Sequence, residues 1–186
     1  MTNETYIELI DDYKKKIIEL IKEEGHLQAN VGLFVEKLNE DESTPETLLI
    51  QIPDEFMSSD DSKDFFVDTI LPGIYKKFSE KYTIYGIGYS SEAWVRRATE
   101  AQLDSVKDYK ELPISQEVLL MCIDSDVKAE TVIYDIKKSS LRVKDGTPGF
   151  VRGVELVECE TYGNPEHLGG RFANLYKKLK NVSVSE

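Results

Sequence analysis

The stretch Glu117–Lys137 reads Glu-Val-Leu-Leu-Met-Cys-Ile-Asp-Ser-Asp-Val-Lys-Ala-Glu-Thr-Val-Ile-Tyr-Asp-Ile-Lys. It holds two runs of strand-forming residues, Glu117–Asp124 and Ala129–Lys137, with the turn residues Ser125 and Asp126 between them. Two such runs joined by a short polar turn are typical of a β-hairpin. Because a hairpin pairs its strands antiparallel, this stretch predicts an antiparallel sheet rather than alternating strand–helix–strand units.

Hydrophobic periodicity and turn residues predict the other elements. The predicted helices are Thr5–Glu24, Ser59–Lys81 and Pro165–Lys180, and the other predicted strands are Val31–Leu38, Glu46–Ile52, Tyr82–Ser91 and Val151–Cys159. Gly25 is predicted to cap the first helix, Asp60 or Asp61 to cap the second, and Pro72-Gly73 to kink or split the second. The order α-β-β-α-β-β-β-β-α predicts an α+β fold, with one largely antiparallel sheet of about six strands and the N-terminal, central and C-terminal helices packed on it.

The strand around Val118–Ile123 is apolar at every position. Both of its faces should therefore be covered, either by the helices or by a second copy of the chain. Gly86 and Gly88, in the strand before it, predict a close approach of another backbone.

The composition describes one globular domain spanning residues 1–186, with 182–186 as a frayed tail. Hydrophobic residues make up 40% of the chain and charged residues 31%. No apolar run is long enough for a membrane helix, and the first residues do not resemble a signal peptide, so a cytoplasmic protein is expected. The net charge of −12 disfavours binding to nucleic acid. Two isolated histidines and two separate cysteines, Cys122 and Cys159, predict no zinc site.

Four carboxylates lie near predicted strand ends: Glu92, Asp124, Asp126 and Glu130. If the strand ends are neighbours, these residues could bind Mg²⁺, Mn²⁺ or Ca²⁺ and support hydrolysis of a phosphoester. The alternative is that Asp124 and Asp126 belong to the hairpin turn and that Glu92 forms an ion pair with Arg96 or Arg97. Turn formation and ion pairing are more frequent uses of such residues than metal binding, and no cofactor is predicted.

A second group of residues is suited to binding a small ligand. It consists of Ser91, Trp94, Arg96, Arg97 and Arg152. Hydroxyl and guanidinium groups beside an indole ring could hold a phosphate or a nucleotide base. Surface ion pairs are the alternative use of these arginines.

Two short motifs resemble a loose group of uncharacterised prokaryotic and phage proteins. The first is Glu24–Gln28 followed by Val31–Phe34, and the second is Tyr89–Trp94 followed by a strand–turn–strand with Asp124, Asp126 and Glu130. In that group a Gly-His precedes a strand and a Ser-Glu-Ala-Trp closes a later one. The resemblance spans roughly residues 20 to 136, and the chain departs from it at Ala29 and at Val127-Lys128. It implies a fold and no activity.

These observations predict a non-catalytic interaction protein that binds another protein or associates with itself. Its ten tyrosines fit that prediction, because tyrosine is frequent at interfaces. The alternatives are a metal-dependent phosphoester hydrolase acting through the four carboxylates and a binder of a small, nucleotide-like ligand.

Overall fold

The computed structural model describes residues 3–38, 44–96, 99–108, 111–112, 116–142, 150–162 and 171–183. Its helices are α1 (Asn3–Glu24), α2 (Asp54–Met57), α3 (Asp60–Phe65), α4 (Leu71–Ser79), α5 (Glu100–Ser105) and α6 (Leu175–Ser183). Its strands are β1 (Asn30–Lys37), β2 (Glu46–Gln51), β3 (Tyr82–Val95), β4 (Gln116–Ser125), β5 (Ala129–Arg142) and β6 (Phe150–Tyr162).

The six strands form one sheet in the order β2-β1-β3-β4-β5-β6, and every neighbouring pair is antiparallel. The predicted α+β fold is therefore confirmed. The predicted hairpin is present as β4 and β5, which pair from Val118 with Asp135 to Asp124 with Ala129.

Helix α1 covers one face of the sheet, and the Tyr13 ring lies at the centre of that contact. A Cβ atom at Gly88 would lie 2.6 Å from Cε1 of Tyr13, and one at Gly32 would lie 2.7 Å from Cε2. The two glycines leave the space that this ring fills between β1 and β3. Gly88 therefore admits a side chain rather than the backbone that the sequence predicted. At Gly86 a Cβ would meet the Ser125 side chain and the Asp124 carbonyl.

The other face packs against α2, α4, α6 and the segment Phe66–Ile70 that precedes α4. Its buried cluster includes Phe66 of this segment, Leu71 of α4, and Leu175 and Leu179 of α6, together with strand residues such as Ile87. The helices thus cover both faces of β4, where Leu119, Met121 and Ile123 face α1 and Leu120 and Cys122 face the opposite cluster. The apolar stretch Val118–Ile123 was expected to be covered by helices or by a second copy of the chain, and helices cover it.

The predicted second helix is divided by a π-helical segment, Phe66–Ile70, between α3 and α4. Pro72 follows this segment at the start of α4. Proline lacks the N–H that an α-helix would donate to the Asp68 carbonyl, and its ring crowds that carbonyl, so the wider turn lies just before it. The predicted kink or split of the helix at Pro72-Gly73 is therefore present as a π-helical segment just before Pro72.

Several predicted boundaries need correction. The cap of α3 is Ser59, which forms a capping box with Ser62, rather than Asp60 or Asp61. Helix α6 begins at Leu175 and runs to Ser183, later than the predicted Pro165–Lys180 and into the predicted tail. Residues 163–170 and 184–186 lie outside the described part of the chain. Gly25 caps α1 as predicted, with φ of 76°.

Strand β3 continues to Val95, four residues beyond its predicted end. Glu92, Ala93 and Trp94 pair with Leu119, Val118 and Glu117 of β4. The whole Ser-Glu-Ala-Trp segment is thus part of β3, because β4 begins early enough to pair with it.

The described residues form no helix with the length and apolar content needed to cross a membrane.

Candidate functional site

A pocket of about 580 Å³ opens beside the last residues of β3. Its walls also come from the segment between α1 and β1, from α2 and α3, and from the residues just before α6. The lining residues are Leu27, Gln28, Ala29, Asp54, Met57, Lys63, Tyr89, Ser91, Glu92, Ala93, Trp94, Leu120, Arg171 and Phe172. We call this site the β3 pocket. Its volume is within the range typical of small-molecule sites.

Aromatic stacking and hydrogen bonding hold one wall of the β3 pocket in place. The rings of Tyr89 and Phe172 are stacked, with centroids 3.8 Å apart and an interplanar angle of 5°. The buried Tyr89 hydroxyl donates a hydrogen bond of 2.9 Å to Oγ of Ser91. Burial raises the pKa of Tyr89 to about 12, so the phenol stays neutral and donates at neutral pH. This wall is therefore formed before any ligand arrives.

Glu92 connects β3 to the segment between α1 and β1 and to β5. Its Oε1 accepts a hydrogen bond of 2.7 Å from the backbone N–H of Leu27, and its Oε2 lies 3.4 Å from Nζ of Lys138. Lys138 also pairs with Glu117 at 2.7 Å. Burial alone would lower the pKa of Lys138, but the hydrogen bond that Lys138 donates to Glu117 and the charge of Glu92 raise it. Glu92 is thus part of an ion-pair network, as the alternative interpretation of the sequence predicted. Its partner among the described residues is Lys138 rather than Arg96, and Arg97 lies outside those residues.

Trp94 and Lys63 are two pocket residues whose side chains are available to a ligand. The Trp94 side chain is 64% exposed, the largest value among the exposed large hydrophobic residues of the described chain. The half-buried Lys63 lines the pocket, and its ammonium makes no ion pair within the described chain. Arg171, by contrast, already pairs with Asp60 at 3.0 Å and with Asp64.

Of the five predicted ligand-binding residues, the structure brings Ser91 and Trp94 together in the β3 pocket. Arg96 does not line it, and its guanidinium donates to the backbone carbonyl of Leu112. Arg97 lies outside the described residues. Arg152 belongs to β6, which β4 and β5 separate from β3, and its side chain is not among those described.

The four predicted metal ligands do not lie together. Glu92 pairs with Leu119 and Asp124 pairs with Ile87, so five residues of β3, about 17 Å, separate the two carboxylate positions. The reason is that antiparallel strands bring the end of β3 beside the start of β4 rather than beside its end. In the part of the chain that the structure describes, no three His, Cys, Asp or Glu side chains are grouped to hold a metal ion.

The three carboxylates at the β4–β5 turn have separate protein partners. Asp124 faces α6, where its Oδ2 accepts a hydrogen bond of 3.0 Å from the backbone N–H of Lys177. Asp126 accepts a hydrogen bond of 2.8 Å from the Tyr176 hydroxyl and pairs with Lys180 at 2.8 Å. This turn joins the sheet to α6.

Glu130 lies on the opposite face of the sheet, next to α1. It pairs with Lys14 and, at 2.9 Å, with Lys128. Burial would raise the pKa of Glu130, but hydrogen bonds from Lys128 and Lys14 and the charges of both lysines lower it. Glu130 therefore stays ionised at neutral pH and holds α1 to β5.

Sequence reasoning missed Lys63, Asp54 and Phe172 as pocket residues. They come from α3, from α2 and from the segment before α6, each distant in sequence from Trp94. The sequence holds one useful sign, since Lys63 is the only lysine among the acidic residues of Asp54–Asp68.

Comparison of the chain with protein-family models, curated proteins and solved structures found no match. The resemblance through Ser-Glu-Ala-Trp remains a prediction.

Proposed function

We propose that this protein is a non-catalytic binding protein and that the β3 pocket holds a planar aromatic ligand with an anionic group. A nucleoside monophosphate and an aromatic carboxylate both have that chemistry. The observation that carries the proposal is the 64% exposed indole of Trp94 beside a preformed pocket wall. An exposed aromatic face next to a concave, partly apolar site is suited to stacking on a flat ligand.

Lys63 supports the anionic group. Its half-buried position keeps the apolar stem along the pocket wall while the ammonium stays available. A charged donor without a carboxylate partner gains most from binding a phosphate or a carboxylate. The neighbouring Ser91 accepts from Tyr89, which leaves its own O–H free to donate to the ligand.

The carboxylates of the pocket limit the charge that the ligand carries. Asp54 and Glu92 both line the site, and the chain has a net charge of −12. These charges oppose a polyanion more than they oppose a ligand with one anionic group. We therefore expect AMP to bind more tightly than ATP.

The β3 pocket favours binding over hydrolysis. A metal-dependent hydrolase would need several carboxylates converging on one point, and Glu92 lies about 17 Å along the sheet from Asp124. The first expectation from the sequence, an interaction protein, is compatible with a ligand site of this kind.

The single tryptophan of the chain makes the proposal directly testable. Titration with AMP should change Trp94 fluorescence with saturation, and adenosine should bind about tenfold more weakly because it lacks the anionic group. Lys63→Gln should reduce the affinity for AMP to that for adenosine. Lys77→Gln, which removes a lysine outside the β3 pocket, should leave the titration unchanged. The proposal fails if neither AMP nor benzoate gives a saturable change, or if Lys63→Gln binds AMP as the wild type does.

A further inference from the structure

The two edge strands of the sheet differ in how they are protected against pairing with another strand. The outward surface of β6 carries the exposed carboxylates Glu155 and Glu158, and its pairing with β5 is interrupted by a bulge at Ile133/Tyr134. Charges and bulges are the usual protection of an edge. Strand β2 has neither, because its inner residues Thr47–Ile50 are uncharged and its register with β1 is regular.

No strand among the described residues pairs with the outer side of β2. We propose that β2 pairs antiparallel with β2 of a second copy of the chain, which joins the two sheets across a twofold axis. This inference does not depend on the β3 pocket, since β1 separates β2 from β3.

The register of this pairing follows from the hydrogen bonds of the single chain. The N–H of Ile52 points towards β1, where it donates to the Ala29 carbonyl at 2.8 Å. Because backbone groups alternate along a strand, those of Thr47, Leu49 and Gln51 point away from β1. Antiparallel hydrogen-bonded pairs form only between such outward residues, so Leu49 can lie opposite Leu49 of the second copy on the twofold axis.

Pro45 selects this register over the neighbouring one. A shift that centres the axis on Leu48 would place Pro45 opposite Gln51 as an outward residue, and proline has no N–H to donate. With Leu49 at the centre, Thr47 and Gln51 exchange hydrogen bonds at both ends. Three outward residues with a donor and an acceptor each give about six intermolecular backbone hydrogen bonds.

The side chains of β2 are also complementary to those of β2 in the second copy. On the α4 side Leu48 lies opposite Ile50 of the second copy, next to a groove of about 420 Å³ lined by Ile50, Ile74, Lys77, Phe78 and others. Glu46 is on the same face as Leu48, two residues earlier. The twofold axis therefore brings Glu46 of the second copy beyond Ile50, towards the exposed Lys77.

The oligomeric state tests the proposal. Sedimentation equilibrium of the full chain at about 100 µM should give twice the 21.2 kDa of one chain. Gln51→Pro removes an outward N–H at a position whose side chain is exposed, and Leu49→Lys places two ammonium groups opposite each other. Each should weaken the dimer at least about tenfold while circular dichroism stays that of the wild type.

Two further measurements separate β2 pairing from other contacts. Val157→Lys, on the outward surface of the β6 edge, is the matched control and should leave the dimer intact. Hydrogen exchange at the Leu49 and Gln51 amides should slow as the protein concentration rises. A monomeric wild type, a dimer that persists in Gln51→Pro and in Leu49→Lys, or fast exchange at both amides in a dimer would overturn the proposal.

Discussion

The carboxylate of Asp124, at the end of β4, accepts a hydrogen bond of 3.0 Å from the backbone N–H of Lys177, in the first turn of α6. The first N–H groups of a helix have no partner within the helix, and the helix dipole favours a negative charge there. Asp124 therefore caps a helix that is distant in sequence. A carboxylate that resembled a metal ligand from its sequence position holds α6 against the sheet.

Replacement of Asp124 by alanine should destabilise the protein by about 2 kcal/mol, because a buried charged acceptor at a helix start is lost. Asp124→Asn should restore part of the loss, since it keeps an acceptor for the Lys177 N–H. Asp126→Ala is the control. Its ion pair with Lys180 is half-exposed, with side-chain exposures of 50% and 52%, and the Tyr176 hydroxyl keeps the Ile84 carbonyl, at 3.1 Å, as an acceptor when Asp126 is removed. The loss should therefore be less than about 1 kcal/mol. Urea unfolding measures the three differences, and equal losses at the two alanine variants would contradict the capping role.

Gly88→Ala should cost about 3 kcal/mol, because the new Cβ would lie 2.6 Å from the Tyr13 ring. The Tyr13 ring is buried and packs edge-on against Phe34, so the core resists its displacement. Gly73→Ala provides the control within α4, since nothing lies within 4 Å of a Cβ there, and it should stabilise the protein by about 0.5–1 kcal/mol. Thermal unfolding measures both differences. If Gly88→Ala unfolded at the same temperature as the wild type, Tyr13 would not fill this space.

The Glu130 ion pairs should make stability depend on pH in the acid range. The folded state lowers the pKa of Glu130 below its usual value of 4.5, so this contribution is complete above that pH and is lost as the pH falls through the folded pKa. At about pH 7 Glu130→Gln should be less stable than the wild type by about 2 kcal/mol. The difference should shrink below pH 4.5. Urea unfolding across this range measures it, and a difference independent of pH would rule out the ionised pair.

Asp54→Asn should strengthen the binding of AMP to the β3 pocket about threefold, because it removes a negative charge near the anionic group. Adenosine should bind the variant and the wild type equally. Trp94 fluorescence measures both, with Glu55→Gln, one residue further along α2 but not in the pocket lining, as the control. An equal gain for adenosine would mean that Asp54 acts on the pocket through packing rather than through charge.

Local residues were enough to predict most of the fold. Gly25 ends α1 because only a residue tolerant of positive φ fits there, and the apolar Val118–Ile123 is covered on both faces as its composition required. The extension of β3 to Val95 could not be predicted in this way. It depends on the pairing of Glu92–Val95 with the start of β4, which is a property of the sheet and not of those residues.

The candidate site was predictable only in part for the same reason. Ser91 and Trp94 lie three residues apart in one strand, so the sequence places both at the same end of β3, with side chains that leave opposite faces of the sheet. Lys63 reaches the pocket from α3, which α2 and the segment Phe66–Ile70 hold in place, and no local sequence pattern predicts that placement. Glu92 and Asp124 were predicted together because both are near strand ends, and the direction of the strands separates them.

The order of the strands in the sheet also bears on how the chain folds. Strands β3 to β6 are neighbours both in sequence and in the sheet, whereas the pairing of β1 with β3 joins Asn30 to Ser90 across 60 positions. Closing that long loop costs more conformational entropy than closing short turns, so β3–β6 should form the nucleus and β1–β2 should join later. Val132→Ala in β5 should therefore slow folding, and Val31→Ala in β1 should mainly speed unfolding. Stopped-flow kinetics of the two variants would show whether the chain acquires its sheet from the C-terminal half.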